Sequence, residues 1–232
     1  LRDGRQGEGV NFSVEDKLRV VRLLDDLGVH FIEGGWPGAN PVDVEFFERM
    51  RRVRLKRSRL AAFGMTARVG TAPAEDPLLS RLVATRSPVI TVFGKAWDLH
   101  VRRVLGADLD QYLRTIEATC RYLKRKCGLL IYDAEHFFDG YKSDPAYALK
   151  TLEAAASGGA QRLVLCDTNG GSLPADVGLA TADVGSRLGV PLGVHCHRRR
   201  RNRGRAVDAA QRDRRARVAT HAGAAGFAAA TA

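Results

Sequence analysis

Short apolar runs alternate with longer amphipathic stretches along residues 1 to 197, at a spacing of about 30 residues, the pattern of repeated βα units. The apolar runs predict six strands: Val29 to Glu33, Leu60 to Met65, Val89 to Phe93, Leu129 to Asp133, Arg162 to Cys166 and Pro191 to His195. Between them the helices declare their ends. Ser13-Val14-Glu15-Asp16 has the form of a capping box, Leu18, Val21, Leu24 and Leu27 make one apolar stripe, and Gly28 stops that helix. Asn40-Pro41 opens the next by cap and N1 proline. Leu109, Leu113, Ile116, Cys120 and Leu123 give the clearest helical spacing, and Asp144-Pro145 and Leu173-Pro174 open two later helices. These stripes are read as core packing.

The polar residues fall at the C-terminal ends of the strands. Glu33 stands with Gly34 and Gly35, Asp133 with Glu135, Asp167 with Thr168 and Asn169, and His195 with His197. A parallel (β/α) barrel gathers its active-site residues at that end, so the pattern predicts an α/β chain of TIM-barrel type. An open doubly wound sheet is the alternative, but it would usually carry a glycine-rich phosphate loop after its first strand, and none is evident.

Two short motifs at opposite ends supply candidate chemistry. Leu1-Arg2-Asp3-Gly4-Arg5-Gln6 places a carboxylate beside an arginine, and Val194-His195-Cys196-His197 offers two imidazoles. Alternate side chains of a strand share a face, so His195 and His197 point the same way and Cys196 the other. Taken alone, a His-x-His on a strand is more often a satisfied pair than a ligand pair. With Asp3 brought alongside, two nitrogens and a carboxylate oxygen would hold a divalent cation and leave positions open for water or substrate.

Composition sets the bounds. The chain of 232 residues can bury a large core, its 45% hydrophobic content is ordinary for a globular protein, and no apolar run approaches the roughly 20 residues of a membrane span. Without a signal pattern at the N-terminus the expected location is cytoplasmic. Cys120, Cys127, Cys166 and Cys196 form no C-x-x-C pair, which argues against a zinc knuckle or disulfide framework and for reduced, mostly buried thiols. The net charge of +11 would suggest nucleic acid, but residues 198 to 232 hold ten arginines against Asp208 and Asp213, so most of the excess belongs to the tail. That tail is read as separate from the catalytic body of residues 1 to 197. It is a basic disordered arm, a solvated terminus, or a stretch translated out of frame. The last reading draws on one allowed set of codons for Arg199 to Arg205, which, shifted by one nucleotide, encodes a helix-like Asp-Ala-Glu-Ile-Ala-Val. Nucleic-acid binding is disfavoured, because the tail lacks interleaved aromatic residues and any known motif.

Taken together, the motifs resemble the metal-dependent acyltransferases and lyases on a TIM barrel that open with L-R-D-G-x-Q and close their site with H-x-H, a family including isopropylmalate, homocitrate and citramalate synthases and the hydroxymethylglutaryl-CoA lyases. Phe31-Ile32-Glu33-Gly34-Gly35-Trp36-Pro37-Gly38, Asp133-Ala134-Glu135-His136-Phe137-Phe138-Asp139-Gly140-Tyr141 and Leu165-Cys166-Asp167-Thr168-Asn169-Gly170-Gly171 are most similar to its citramalate synthase branch. The resemblance covers residues 1 to 197. It implies that Asp3, His195 and His197 bind a divalent metal, Mg²⁺ or Mn²⁺ and otherwise Zn²⁺. It further implies that Arg2 lies beside a keto oxygen, that Thr168 holds a keto acid's carboxylate, and that Glu135 and Gln6 complete the polar shell. Glu33 is expected to orient Arg2 rather than to react, with a plain structural ion pair as the equal alternative. The implied activity is a Claisen condensation of acetyl-CoA with pyruvate to citramalate, a step of isoleucine synthesis, with 2-isopropylmalate or homocitrate synthesis as the alternatives. The implied partners are small molecules, and the full-length protein is expected to be a homodimer. The general base stays open between a neutral histidine and Glu135.

Departures from the family pattern are expected to matter. Most of a first strand would lie before Leu1, and after His197 the expected Asn-Asp, helix and eighth strand do not appear. The barrel is therefore expected to be incomplete, with its first strand start and last βα unit missing, and the polypeptide to be unstable or inactive by itself. An inactive truncated product and a basic-tailed nucleic-acid binder are the readings from other classes.

Overall fold

In a computed structural model, described for residues 1–7, 9–197 and 218–220, the chain forms a parallel sheet backed by helices. The strands are β1 (Phe31–Gly35), β2 (Arg59–Met65), β3 (Val89–Lys95), β4 (Leu129–Glu135), β5 (Arg162–Asp167), β6 (Leu192–Cys196) and β7 (Val218–Thr220). The helices are α1 (Val14–Asp26), α2 (Pro41–Met50), α3 (Pro77–Ala84), α4 (Asp98–Arg103), α5 (Leu109–Lys124), α6 (Phe137–Ser143), α7 (Pro145–Ser157) and α8 (Pro174–Arg187). Every strand pairs parallel with its successor in the order β1 to β7. That sequential order is the order of a barrel; a doubly wound sheet would reverse direction at a switch point.

Both faces of the sheet are buried, but against different partners. Leu60, Ala62, Ile90, Val92, Leu130, Tyr132, Leu163, Leu165 and Val194 join one apolar cluster with the helices. The alternate positions Ala61, Val89, Leu129, Ile131, Val164 and Cys166 form a second, smaller cluster of their own. With period-2 alternation, that second cluster is the barrel interior. Among the described residues no pairing joins β7 back to β1, so the sheet is an arc of a TIM barrel rather than a closed one.

The six expected strands stand where the apolar runs placed them, within two residues at each end. The capping box at Ser13 is made in both directions, with the Ser13 hydroxyl accepting from the Asp16 amide and the Asp16 carboxylate accepting from the Ser13 amide. Along α1, Leu18 and Val21 are buried while Leu27 is 55% exposed, so the apolar stripe loses its cover at the last turn. Pro41, Pro145 and Pro174 each begin a helix as read.

The tail reading falls almost wholly outside the described residues. Its described part, β7, is a strand the sequence reading did not place: its backbone pairs Val218 with Leu192 and Thr220 with Val194. An unpaired β6 edge would leave a row of N–H and C=O groups without partners, and any short extended segment satisfies them.

Candidate metal and keto-acid site

The site is assembled at the C-terminal ends of β1, β4, β5 and β6. The backbone of Leu1–Asp3 runs beside β1, where the Arg2 amide donates to the Glu33 carbonyl at 3.2 Å. His195 is held inside β6 opposite Cys166, and the amide of His197 donates to the Asp167 carbonyl at 3.1 Å, which fixes the turn at which β6 ends.

These constraints bring Asp3, His195 and His197 together. One donor atom from each lies within 4.8 Å of the others. The two imidazoles stack with centroids 4.8 Å apart and planes 23° from parallel, while Cys196 turns to the helix side, as the alternation required. His195 Nε2 is 3.8 Å from Asp3 Oδ2. The Asp3 carboxyl is held down at about 2, first by the His195 imidazole and then by Arg2 and His197, against partial burial that pulls it up. An anionic carboxylate with two imidazole nitrogens on one side is a donor set that fits a divalent cation with open positions. The sequence-predicted ligands are therefore brought together.

Arg2 is fixed beside this set. Its Nη2 and Nε donate to Glu33 Oε2 at 2.8 and 3.1 Å, and its guanidinium lies 3.8 Å over the Phe63 ring. Burial by itself would ease the proton off Arg2, but Glu33, Asp133 and Asp3 outweigh it and raise its pKa, so the cation is permanent. Glu33 thus holds the Arg2 guanidinium through two bonds to one carboxylate oxygen. Phe63 stacks on Phe93 at 5.3 Å, and Trp36 meets both edge-on, so an aromatic wall rises next to the cation.

Thr168 follows β5, and its Oγ1 accepts the His136 amide at 2.8 Å, which leaves the hydroxyl hydrogen free to be donated elsewhere. Asp167 turns away from the interior to accept from the Ser172 amide and hydroxyl, which shapes the loop behind Thr168. Glu135, at the end of β4, is ion-paired with Lys95 of β3. Gln6 lies in the 3-10 turn Gly4–Gln6, and its side chain lies outside the described residues.

Sequence reading assigned nothing to a second polar group beyond Glu135. Trp97 packs on His100 at 4.7 Å, His100 meets His136 edge-on at 4.4 Å, and Asp139 accepts from Asn169 at 3.0 Å and contacts His136 Nδ1 at 3.2 Å. His136 has φ +58°, in the left-handed region, a conformation that a non-glycine residue keeps only when its surroundings enforce it. Here the Thr168 bond and the approach of α6 to β3 enforce it: a Cβ at Gly140 would collide with the Ala96 carbonyl. Aromatic and imidazole residues clustering just past β3 and β4 were the available signal.

Comparison with known proteins shows the family. The HMGL-like family model matches residues 1–225. The chain is 51% identical over 198 residues to an (R)-citramalate synthase of Aquifex aeolicus, covering 85% of this chain and 38% of that one. It is 46% identical over 197 residues to that of Geobacter sulfurreducens, covering 85% and 37%. A 2-isopropylmalate synthase of Dictyoglomus turgidum is more distant, at 29% over 201 residues, covering 85% and 38%. The chain thus spans a little over a third of the length of these relatives. In structure it resembles the HMG-CoA lyase of Bacillus subtilis, with a TM-score of 0.73 at 20% identity over 94% of this chain and 74% of that one, a likeness of fold. With the site motifs, the arc of parallel strands and a family match over nearly the whole length in agreement, the chain belongs to the HMGL-like family.

Proposed function

We propose that this chain carries the catalytic arc of a citramalate synthase, an acyltransferase that condenses acetyl-CoA with pyruvate and releases citramalate and CoA. The observation that carries the reading is the convergence of Asp3, His195 and His197 around a cation-sized space beside the Glu33-held Arg2. The citramalate synthases at 51% and 46% identity support it over the 2-isopropylmalate synthase at 29%.

Asp3, His195 and His197 would hold Mg²⁺ or Mn²⁺, and such an ion would supply Lewis-acid polarisation of a keto group. The residues of the chain do the rest. Arg2 supplies a fixed positive charge where the keto oxygen of pyruvate gains negative charge as the new carbon–carbon bond forms. The free Thr168 hydroxyl donates to the keto acid's carboxylate, which sets the face of the carbonyl presented to attack. Glu135 takes a proton from the methyl group of acetyl-CoA, and Lys95 keeps that carboxylate in place. Water then cleaves the thioester, releasing CoA and making the sequence irreversible. The wall of Trp36, Phe63 and Phe93 beside Arg2 favours a keto acid with a small side chain, which distinguishes pyruvate from 2-oxoisovalerate and 2-oxoglutarate.

The test is acetyl-CoA-dependent release of CoA thiol in the presence of Mn²⁺, with the product identified by mass spectrometry. Any turnover is expected to be greatest with pyruvate, giving citramalate, and at least 10-fold less with the two larger keto acids, as one or more extra methylene groups in a shaped pocket discriminate by about that much. Preference for a larger keto acid would overturn the reading, whereas no thiol release with any of them would bear out the inactivity expected of the incomplete barrel.

A further inference from the structure

Behind the outer ligand set lies another. Asp133 of β4, Cys166 of β5 and His195 of β6 also bring one donor atom each to within 4.8 Å of one another. The sheet register produces this. Cys166 and His195 are direct partners across β5 and β6, and Asp133 is the partner of Val164, two residues before Cys166 on the same inward face. All three are almost fully enclosed, at 2%, 5% and 5% exposure, whereas the Asp3 side chain is 17% exposed.

The two sets share His195 and differ in chemistry. The outer set is a carboxylate and two imidazoles near solvent, suited to a hard or borderline cation that keeps water ligands. In the inner set a thiol replaces the second imidazole, and soft sulfur selects Zn²⁺-like ions over Mg²⁺ or Mn²⁺. A carboxylate and a thiolate together balance a divalent charge in a place where an unbalanced one would be costly. One layer deeper on the same face, the Thr91 hydroxyl is wholly buried, and its oxygen has no hydrogen-bond partner among the described residues. The paired positions Phe63 and Thr91 in β2 and β3 put it on the interior side.

We propose that Asp133, Cys166 and His195 form a second, internal metal position that takes a thiophilic divalent ion such as Zn²⁺ or Co²⁺ and, in doing so, draws His195 away from Asp3 and His197. Occupation exchanges the thiol proton for the metal: the S–H proton leaves to water as the sulfur–metal bond forms. The position thereby sorts ions, with hard ions held outside in contact with substrate and soft ions held inside, away from it. It does not depend on the acyltransferase reading.

Cobalt titration of the full 232-residue chain under reducing conditions tests this without any activity assay. A near-ultraviolet thiolate-to-cobalt charge-transfer band is expected, lost in Cys166→Ser and in His195→Gln. It should be retained in Cys196→Ser, whose sulfur faces the helices, and in His197→Gln, which removes an outer ligand only. Cobalt d–d bands without charge transfer would overturn the internal position while leaving the outer site intact. A band that survives Cys166→Ser would place the ion on another cysteine and overturn it too. No cobalt absorption at all would overturn both metal readings.

Discussion

Arg2 shows how one residue is set by three independent contacts: two bonds to a single Glu33 oxygen and the face of Phe63 beneath it. Only a planar guanidinium satisfies all three, since an ammonium has neither the fork nor the flat face. On the proposed acyltransferase reading, Arg2→Lys is expected to keep the charge and the fold but to lower kcat/KM for pyruvate by about 10²-fold, because the positive charge would no longer be fixed where the oxyanion develops. Parallel measurement of Mn²⁺ binding separates this from loss of the metal; unchanged kcat/KM would show that Arg2 contributes charge alone. Motif spacing exposed Asp3, His195, His197, Arg2 and Glu33 as candidates. It did not expose Asp133 or Cys166 as neighbours of His195. In the sequence Cys166 reads as one more inert buried thiol, and only the β5–β6 register sets it across from an imidazole.

At the scale of elements, the long helices were legible because four turns or so display the apolar stripe and its caps together, as in the 16 residues of α5. The short ones were not: α3, α4 and α6 have eight, six and seven residues, too few for the period to emerge. Ties between elements were equally hidden. Asp25, near the end of α1, accepts the amides of Lys56, Arg57 and Ser58 and so pins the chain entering β2 to that helix. Those amides, the Lys56 bond first, hold the Asp25 carboxyl down at about 2 from an ordinary 3.8. A folded-state pKa below the unfolded one means the stabilisation is full above about pH 4 and is lost as pH falls toward 2. Asp25→Asn should therefore melt below the parent at neutral pH, and the gap should close as the pH approaches 2. A gap that stays constant across thermal melts from pH 7 to pH 2 would contradict this account.

For the molecule as a whole, the outer ligands come from distant parts of the arc, Asp3 beside β1, His195 on β6 and His197 just after it. An ion held by all three would tie the β1 side of the arc to β6. At about 100-fold above its dissociation constant such an ion contributes ~2.7 kcal/mol, so Mn²⁺ should raise Tm by roughly 5 to 10 °C. Asp3→Ala should abolish that increment, and an equal Mn²⁺ shift in the variant would place the ion elsewhere. By itself the sequence determined the alternation of strands and helices, the end of the sheet where polar residues gather, and which side chains at each strand end share a face. These are local consequences of side-chain period and capping, and each is written within a few residues. Tertiary structure decided the rest: that β7 completes the sheet edge, that Asp3 meets His195 across the arc, and that a carboxylate, a thiol and an imidazole from three strands share one enclosed space. Those depend on register and sheet curvature, which are set by packing across the whole molecule and which no short window of residues contains.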